Sequence, residues 1–382
     1  GQDRKTLLWT FLVGPILIMP SAMEEIAAAK CAHSTSSAST AAADPSSSEE
    51  HDASVWSLEC PEPLHETFAA VDMQRWEKGR FRMERRVQGA PRNRGVVDHM
   101  FDAATSRHVA VKKMPNDWVC ECHALFAQKY PHEAERPWVD FGISAFLTGI
   151  GYPYVCPLLG VYRGRQFTYM VTELAPHGDL FMWSMACDEK PGLARESLMS
   201  PVARQIMDAV RTLHDLSIVH GDISLENILV SSQDRVPQIQ LIDFGMSATS
   251  RYTNKGRSKP AYQAPEVHEH AAYDGFLSDT FAVGVVLYTM LMQAYPWVST
   301  QPESCKAFKF FQRHGFRAFV KKLKCFGQEC KVGQCMSQSV IRVLEGLLAT
   351  NPAARLTLGE LACLDGHDQM SVWEEDWAHH HH

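Results

Sequence analysis

Residues 218–245 read IVHGDISLENILVSSQDRVPQIQLIDFG, and this stretch decides how the chain is read. It carries two acids and one amide in a set order, Asp222, Asn227 and Asp243. His220-Gly221-Asp222 follows the helical pattern PVARQIMDAVRTLHDL, and Asp243-Phe244-Gly245 follows the apolar pair Leu241-Ile242. Downstream, Ala264-Pro265-Glu266 closes the next segment. Upstream, Val109-Ala110-Val111-Lys112 puts a lysine at the end of a strand-like run. Any one of these triplets arises easily by chance; all four in this order do not.

The elements around this stretch predict an α+β layout. Valine-rich strands are expected at 95–101 and 108–114, a helix at 137–150, and strands at 155–163 and 167–174. From 197 the pattern turns strongly helical, with DTFAVGVVLYTMLMQ and SVIRVLEGLLAT as later helices. A small β-rich part followed by a larger helical part makes two lobes. The chain has 382 residues, enough for two or three domains or lobes, and 45% of them are hydrophobic. That excludes a wholly disordered chain. A net charge of −7, with no dense Lys/Arg run, excludes a general nucleic-acid binder.

The first 63 residues read differently. Arg4 and Lys5 precede an apolar run at 7–19, and small residues follow at Ser21 and Ala22, so 1–22 is expected to be an export signal. No later segment approaches the ~20 apolar residues of a membrane span. Residues 23–63 form a Ser/Ala-rich leader with little to bury. Leu64, Phe68, Val71 and Trp76 share one face at helical spacing, which predicts a helical extension over 64–83, although Asp72 falls within that face. Residues 369–382 are a tail ending in a histidine tag. Eleven cysteines in an exported chain point to disulfides. One or two are expected to pin the loop holding Cys325, Cys330 and Cys335, with Cys305 nearby. Zinc is the competing reading there, but no C-x-x-C pair is present.

The four ordered motifs resemble the signature set of protein kinases, over roughly residues 84–368. The resemblance implies a bilobal fold using ATP and Mg²⁺. Phosphoryl transfer asks a protein mainly for positioning and charge neutralisation. By resemblance, Lys112 holds the nucleotide phosphates, Asn227 and Asp243 hold Mg²⁺, and Asp222 orients the attacking hydroxyl. Thr172-Glu173-Leu174-Ala175 is similar to a gatekeeper and hinge, with Asp179 where a ribose contact often sits. Val97, Ala110 and Leu229 match the apolar residues around adenine; ordinary core packing accounts for them equally well. Asp279 resembles the buried acid of the large-lobe core helix, and Arg355 the partner of Glu266.

Three departures stand out. The phosphate-covering loop reads Gly89-Ala90-Pro91-Arg92-Asn93-Arg94-Gly95-Val96-Val97, with Ala90 and Arg92 where two glycines belong and Pro91 removing a donor. Ungapped counting from Tyr152-Pro153 puts Ile143 in place of the helix glutamate that pairs with the strand lysine. Asp140 lies one turn earlier on the same face, and Glu133 and Glu135 are further candidates. Ser224 replaces the catalytic-loop lysine, a charge that Lys259 is placed to supply. Gly221 replaces the usual arginine, so activation by a phosphate between Gly245 and Ala264 is not expected. Together with the export signal and the cysteines, these features resemble the secreted rhoptry-type kinases of apicomplexan parasites, in particular the with-no-Gly-loop group. That resemblance implies export to the parasitophorous vacuole or cyst wall and a secreted protein partner or substrate. The three departures favour a pseudokinase acting as a binding or structural module; the alternative is an active, divergent Ser/Thr kinase. A third, a different ATP-using enzyme on this fold, has less behind it.

Overall fold

The computed structural model describes residues 71–379, apart from 233–235, 255–257, 270–271, 326–327 and 365–368. All of them belong to one compact unit, Glu59–His382. The export signal, the leader and positions 64–70 lie outside the described residues.

The small lobe is a six-stranded sheet in the order β1-β5-β6-β4-β3-β2. Its strands are β1 Met73–Arg75, β2 Phe81–Ala90, β3 Gly95–Asp102, β4 Arg107–Pro115, β5 Leu158–Arg163 and β6 Phe167–Glu173. In β4 the period-2 alternation buries Val109 and Val111 on one face and turns Ala110, Lys112 and the buried Met114 to the other. Across the ladder Val97 stands opposite Lys112, and Thr172 opposite Ala110, so all four share that face. Between β4 and β5 run α1 Asn116–Val119, α2 His123–Lys129 and α3 Pro137–Gly149.

The helix expected over 64–83 is not what residues 71–83 form. β1 adds to the sheet edge in parallel with β5, Met73 against Val161, and β2 begins at Phe81. The aromatic spacing serves a sheet face instead. Trp76 stacks on Tyr169 with ring centroids 3.8 Å apart and on Phe81 at 4.6 Å.

The large lobe is built on α4 Leu180–Ala186, α5 Leu193–Asp215, α6 Gly275–Met292, α7 Lys306–Lys322, broken at Gly315, and α8 Gln338–Leu347. Asp274 caps α6, its carboxylate accepting from the backbone N–H of Phe276 and Leu277. The expectation that no later segment approaches a membrane span needs correcting on length. α6 has 18 residues and the composition of a span, yet 94% of it is buried as the core helix of this lobe. Two short strands, β7 Ile228–Ser232 and β8 Gln238–Leu241, form a hairpin that carries Asn227 and Asp243 at its two ends.

Long-range polar contacts join these parts. Arg355 grips Glu266 bidentately at 2.6 and 2.9 Å, with both side chains buried. Asp279 on α6 accepts from the backbone N–H of His220 at 2.7 Å and of Gly221 at 3.0 Å, fixing the loop before Asp222. The disulfide expectation fails among the described residues: all nine cysteines there, Cys305, Cys325, Cys330 and Cys335 included, are free thiols.

Candidate active site

The lysine at the end of β4 sets the centre. Lys112 Nζ donates to Asp140 Oδ2 at 2.8 Å and to Asp243 Oδ1 at 2.6 Å. Burial alone would depress the ammonium pKa, but the two carboxylates reverse this and hold it above its ordinary value. Asp140 projects from the first turn of α3, where an acid also favours the helix N-terminus. Its second oxygen, Oδ1, accepts from the backbone N–H of Phe244 at 3.0 Å. The acid that orients the strand lysine is therefore Asp140. Ile143, where ungapped counting put it, is fully buried among apolar neighbours.

Asp243 itself sits in the left-handed region, φ 68° and ψ 66°, an uncommon conformation for a residue with a Cβ and one concentrated at functional sites. Burial would raise its pKa, but Lys112 wins and holds the carboxylate ionised. A third acid stands close by. Glu135 is buried, and burial together with the Asp243 charge pushes it up to about 8, so it is largely neutral at pH 7. A Cβ added to Gly245 would collide with Glu135 Oε1, so the glycine after Phe244 is what lets Glu135 pass. Glu133, the remaining candidate, faces outward and pairs with Arg94 at 3.6 Å.

The loop around Asp222 is equally ordered. Asn227 Nδ2 donates to the Asp222 backbone carbonyl and to its Oδ2, each at 2.8 Å. Asp222 Oδ1 is buried with no partner among the described residues. Lys259 Nζ donates to Ser224 Oγ at 3.0 Å and pairs with Glu226 at 2.9 Å, so a cation stands beside the position that lacks its lysine. Gly221, at φ 76°, leaves room for Met246: a Cβ there would meet the Met246 carbonyl oxygen at 2.6 Å.

The loop without its glycines is a closed turn, and residues 71–95 lay no helix over it. β2 and β3 close through a short 3₁₀ turn, Pro91–Asn93, with Pro91 at its first position, where the missing N–H costs nothing. Arg94 follows at φ 52°, in the left-handed region a glycine would favour. Three successive side chains then fasten the turn. Arg92 Nη1 donates to Asp222 Oδ2 at 2.9 Å, and Asn93 is buried with its Nδ2 on Glu135 Oε1 at 2.8 Å. Arg94 lies over the rings of Trp118 and Tyr130, 4.4 and 5.1 Å from their centroids. The reach of Arg92 to Asp222 has no signal in the sequence spacing.

Of the nucleotide-side residues, Val97 and Ala110 share the Lys112 face, and Leu229 on β7 is half-buried beside Asp179 through a single antiparallel bridge. Asp179 has a structural task already: its Oδ1 accepts from Met182 N at 2.7 Å and caps α4. Glu173 accepts from Arg107 at 2.6 Å, and its backbone carbonyl accepts from the Cys156 thiol at 3.3 Å. Ala175 continues the chain from β6 and is half-buried.

A strand lysine held by an acid from a helix, an aspartate-asparagine pair and a left-handed aspartate, all at the join of a sheet lobe and a helical lobe, have the arrangement of the protein-kinase fold. The sequence profile of the protein kinase domain matches residues 93–365, and the chain belongs to this family. It is 28% identical to CBL-interacting protein kinase 1 of Oryza sativa subsp. japonica over 272 residues, which is 70% of this chain and 51% of the relative. Serine/threonine-protein kinase SAPK5 of the same organism is 30% identical over 204 residues, 53% of this chain and 51% of that protein. Calcium/calmodulin-dependent protein kinase type 1 of Caenorhabditis elegans is 35% identical over 144 residues, 37% of this chain and 40% of that protein. The chain thus spans about half the length or less of the curated relatives it matches.

Proposed function

We propose that this chain is an active Mg²⁺- and ATP-dependent protein serine/threonine kinase with a short, fastened phosphate loop, rather than a scaffold that has lost catalysis. The observation that carries the reading is Lys112 held between Asp140 and Asp243. Two of the three departures that favoured a pseudokinase have local substitutes: Asp140 stands for the helix glutamate, and Lys259 for the catalytic-loop lysine.

The donor set suits a hard divalent cation. Asp243 offers a carboxylate, and Asn227 spends its amide hydrogens on Asp222, which leaves Oδ1 as an acceptor. When bound, Mg²⁺–ATP supplies the phosphoryl group, with the ion neutralising charge on the phosphate oxygens. The chain's own residues do the positioning. Asp140 aims Lys112 at the cleft. Arg92 and Asn227 fix Asp222 through Oδ2, leaving the buried, unpartnered Oδ1 to accept the proton of a serine or threonine hydroxyl. Arg92 brings positive charge from the loop that lacks its glycines, and Lys259 brings it beside Ser224.

The test is direct. Mg²⁺–ATP should raise the melting temperature, and labelled phosphate should pass to a generic protein substrate. Asp222→Asn and Asp243→Ala should each abolish transfer. Nucleotide binding with no transfer would return the reading to a binding module. The kinship with the secreted parasite group is a further proposal, supported by Ala90 and Arg92 standing where loop glycines belong. Export rests on the apolar run at 7–19 and is checked by sequencing the N-terminus of the chain recovered from a secretory host.

A further inference from the structure

The segment between α7 and α8 carries a cysteine cluster that the kinase reading does not use. Its sequence, Cys325-x4-Cys330-x4-Cys335, spaces three thiols evenly, and the fold brings them to one point. Cys335 Sγ lies 2.9 Å from Cys330 Sγ and 3.1 Å from Cys325 Sγ, and all three sulfurs fall within 4.8 Å of one another. Cys325 and Cys335 are buried at the edge of the large-lobe core, and Cys330 is half-buried.

Backbone bonds set this convergence without any covalent link. Cys325 N donates to the Cys330 carbonyl, Val332 N to the Leu323 carbonyl and Cys335 N to the Val332 carbonyl, each at 3.0 Å. The three thiols therefore approach from three successive stretches of backbone: outgoing, returning and after a 3₁₀ turn, Val332–Gln334. A fourth donor is present, since the Gln328 side-chain oxygen lies 3.0 Å from Cys330 Sγ and 3.9 Å from Cys335 Sγ.

We propose that Cys325, Cys330 and Cys335, with the Gln328 side-chain oxygen, form a structural zinc site that fastens the α7–α8 connection. A disulfide from Cys335 to either neighbour would use two thiols and strand the third beside it, whereas one cation engages all three. Zinc takes thiolates at about 2.3 Å in a tetrahedron, which sets its sulfurs about 3.8 Å apart. The two pairs that Cys335 makes reach that spacing by moving apart about 0.7–0.9 Å. Three thiolates around a divalent ion carry one net negative charge, and Lys321, Lys322 and Lys324 stand exposed on the same segment, with Lys331 following Cys330. Thiolate-rich sets favour zinc over magnesium or calcium, so this site does not compete with the nucleotide's metal.

The experiment uses the full chain, reduced and stripped of metal, titrated with cobalt(II) alone. The terminal histidines bind cobalt too, so the readout is the near-ultraviolet thiolate-to-cobalt charge-transfer band, which histidine does not give. The band should saturate at one cobalt per chain, with visible absorption of tetrahedral strength, and zinc should bleach it. Cys335→Ser should lose it; if that variant does not fold, the half-buried Cys330→Ser serves instead. Gln328→Ala should keep the band at lower affinity. A band that is absent, or unchanged in both cysteine variants, overturns the proposal. So does an unreduced chain whose mass and peptide map show Cys335 joined to Cys325 or Cys330.

Discussion

Replacing Asp140 by asparagine tests the centre of the site most sharply. The side chain keeps its size, and its amide oxygen still accepts from Phe244 N, so the backbone after Asp243 stays held. What disappears is the charge 2.8 Å from Lys112 Nζ. Asp140 is buried and Lys112 nearly so, and at an effective dielectric near 20 one unit charge at that distance is worth about 6 kcal/mol before desolvation is subtracted. Measured losses from breaking one side of a buried pair are about 3–5 kcal/mol. Asp243 still holds Lys112 at 2.6 Å, so the loss belongs at the lower end, about 3 kcal/mol of stability. Catalysis should suffer through orientation: with one anchor left, Lys112 follows Asp243 and leaves the phosphates. Transfer should fall about 10²–10³-fold, the loss seen when one preorganised electrostatic partner is removed. Asp140→Glu restores the charge one methylene further out and should recover part of the rate. The assay is initial rate of labelled phosphate transfer, with urea unfolding for stability. An Asp140→Asn variant that transfers phosphate at the parental rate would show that Lys112 needs no helix acid, and the reasoning fails.

Arg92→Ala should lower the transfer rate about tenfold while leaving the fold intact, because Asp222 keeps Asn227 but loses a half-exposed anchor; a rise in rate in the same assay would make Arg92 a gate on the aspartate instead. Arg355→Ala takes the bidentate guanidinium from buried Glu266 and should cost about 3–5 kcal/mol, read by urea denaturation. Stability should also depend on pH through His214. Burial would lower its pKa, but the hydrogen bonds its ring donates to Asp279 and Glu360 raise it from 6.5 to about 9. The stabilisation, at most about 3 kcal/mol, is fully present below pH 6.5 and lost as pH rises through 9. The melting temperature should therefore fall across that window, and His214→Gln should flatten the fall; a parental curve with no fall there would contradict it.

Much of this was readable from residue order. The four motifs fixed the lobes, and the later helices followed from 3.6-residue periodicity because their apolar faces are wide. Asp140 was readable only as one of several acids, since residues one turn apart share a helix face and a count without gaps cannot tell Ile143 from Asp140. The 64–83 region misled for a related reason. Val71 and Trp76 fit a helical face, but Trp76 is spent on Phe81 and Tyr169, partners far apart in sequence that no local pattern announces. The roles of Arg92 and Glu135 were hidden likewise, since they come from contacts with residues far away in sequence. The cysteines were read through an assumed compartment, which predicts bonds between pairs and not the meeting of three.

β2 has one more consequence. It is a ten-residue strand at the sheet's margin, and among the described residues nothing pairs with its outer side. Such a margin invites a neighbouring molecule to add a strand. Here Arg82, Glu84, Arg85 and Arg86 stand exposed along it, and two register breaks, between Met83 and Arg85 and between Arg86 and Gln88, bend it. Repulsion and curvature keep copies of the protein apart, so neutralising those charges would be felt first as clumping in concentrated solution while each molecule stays folded.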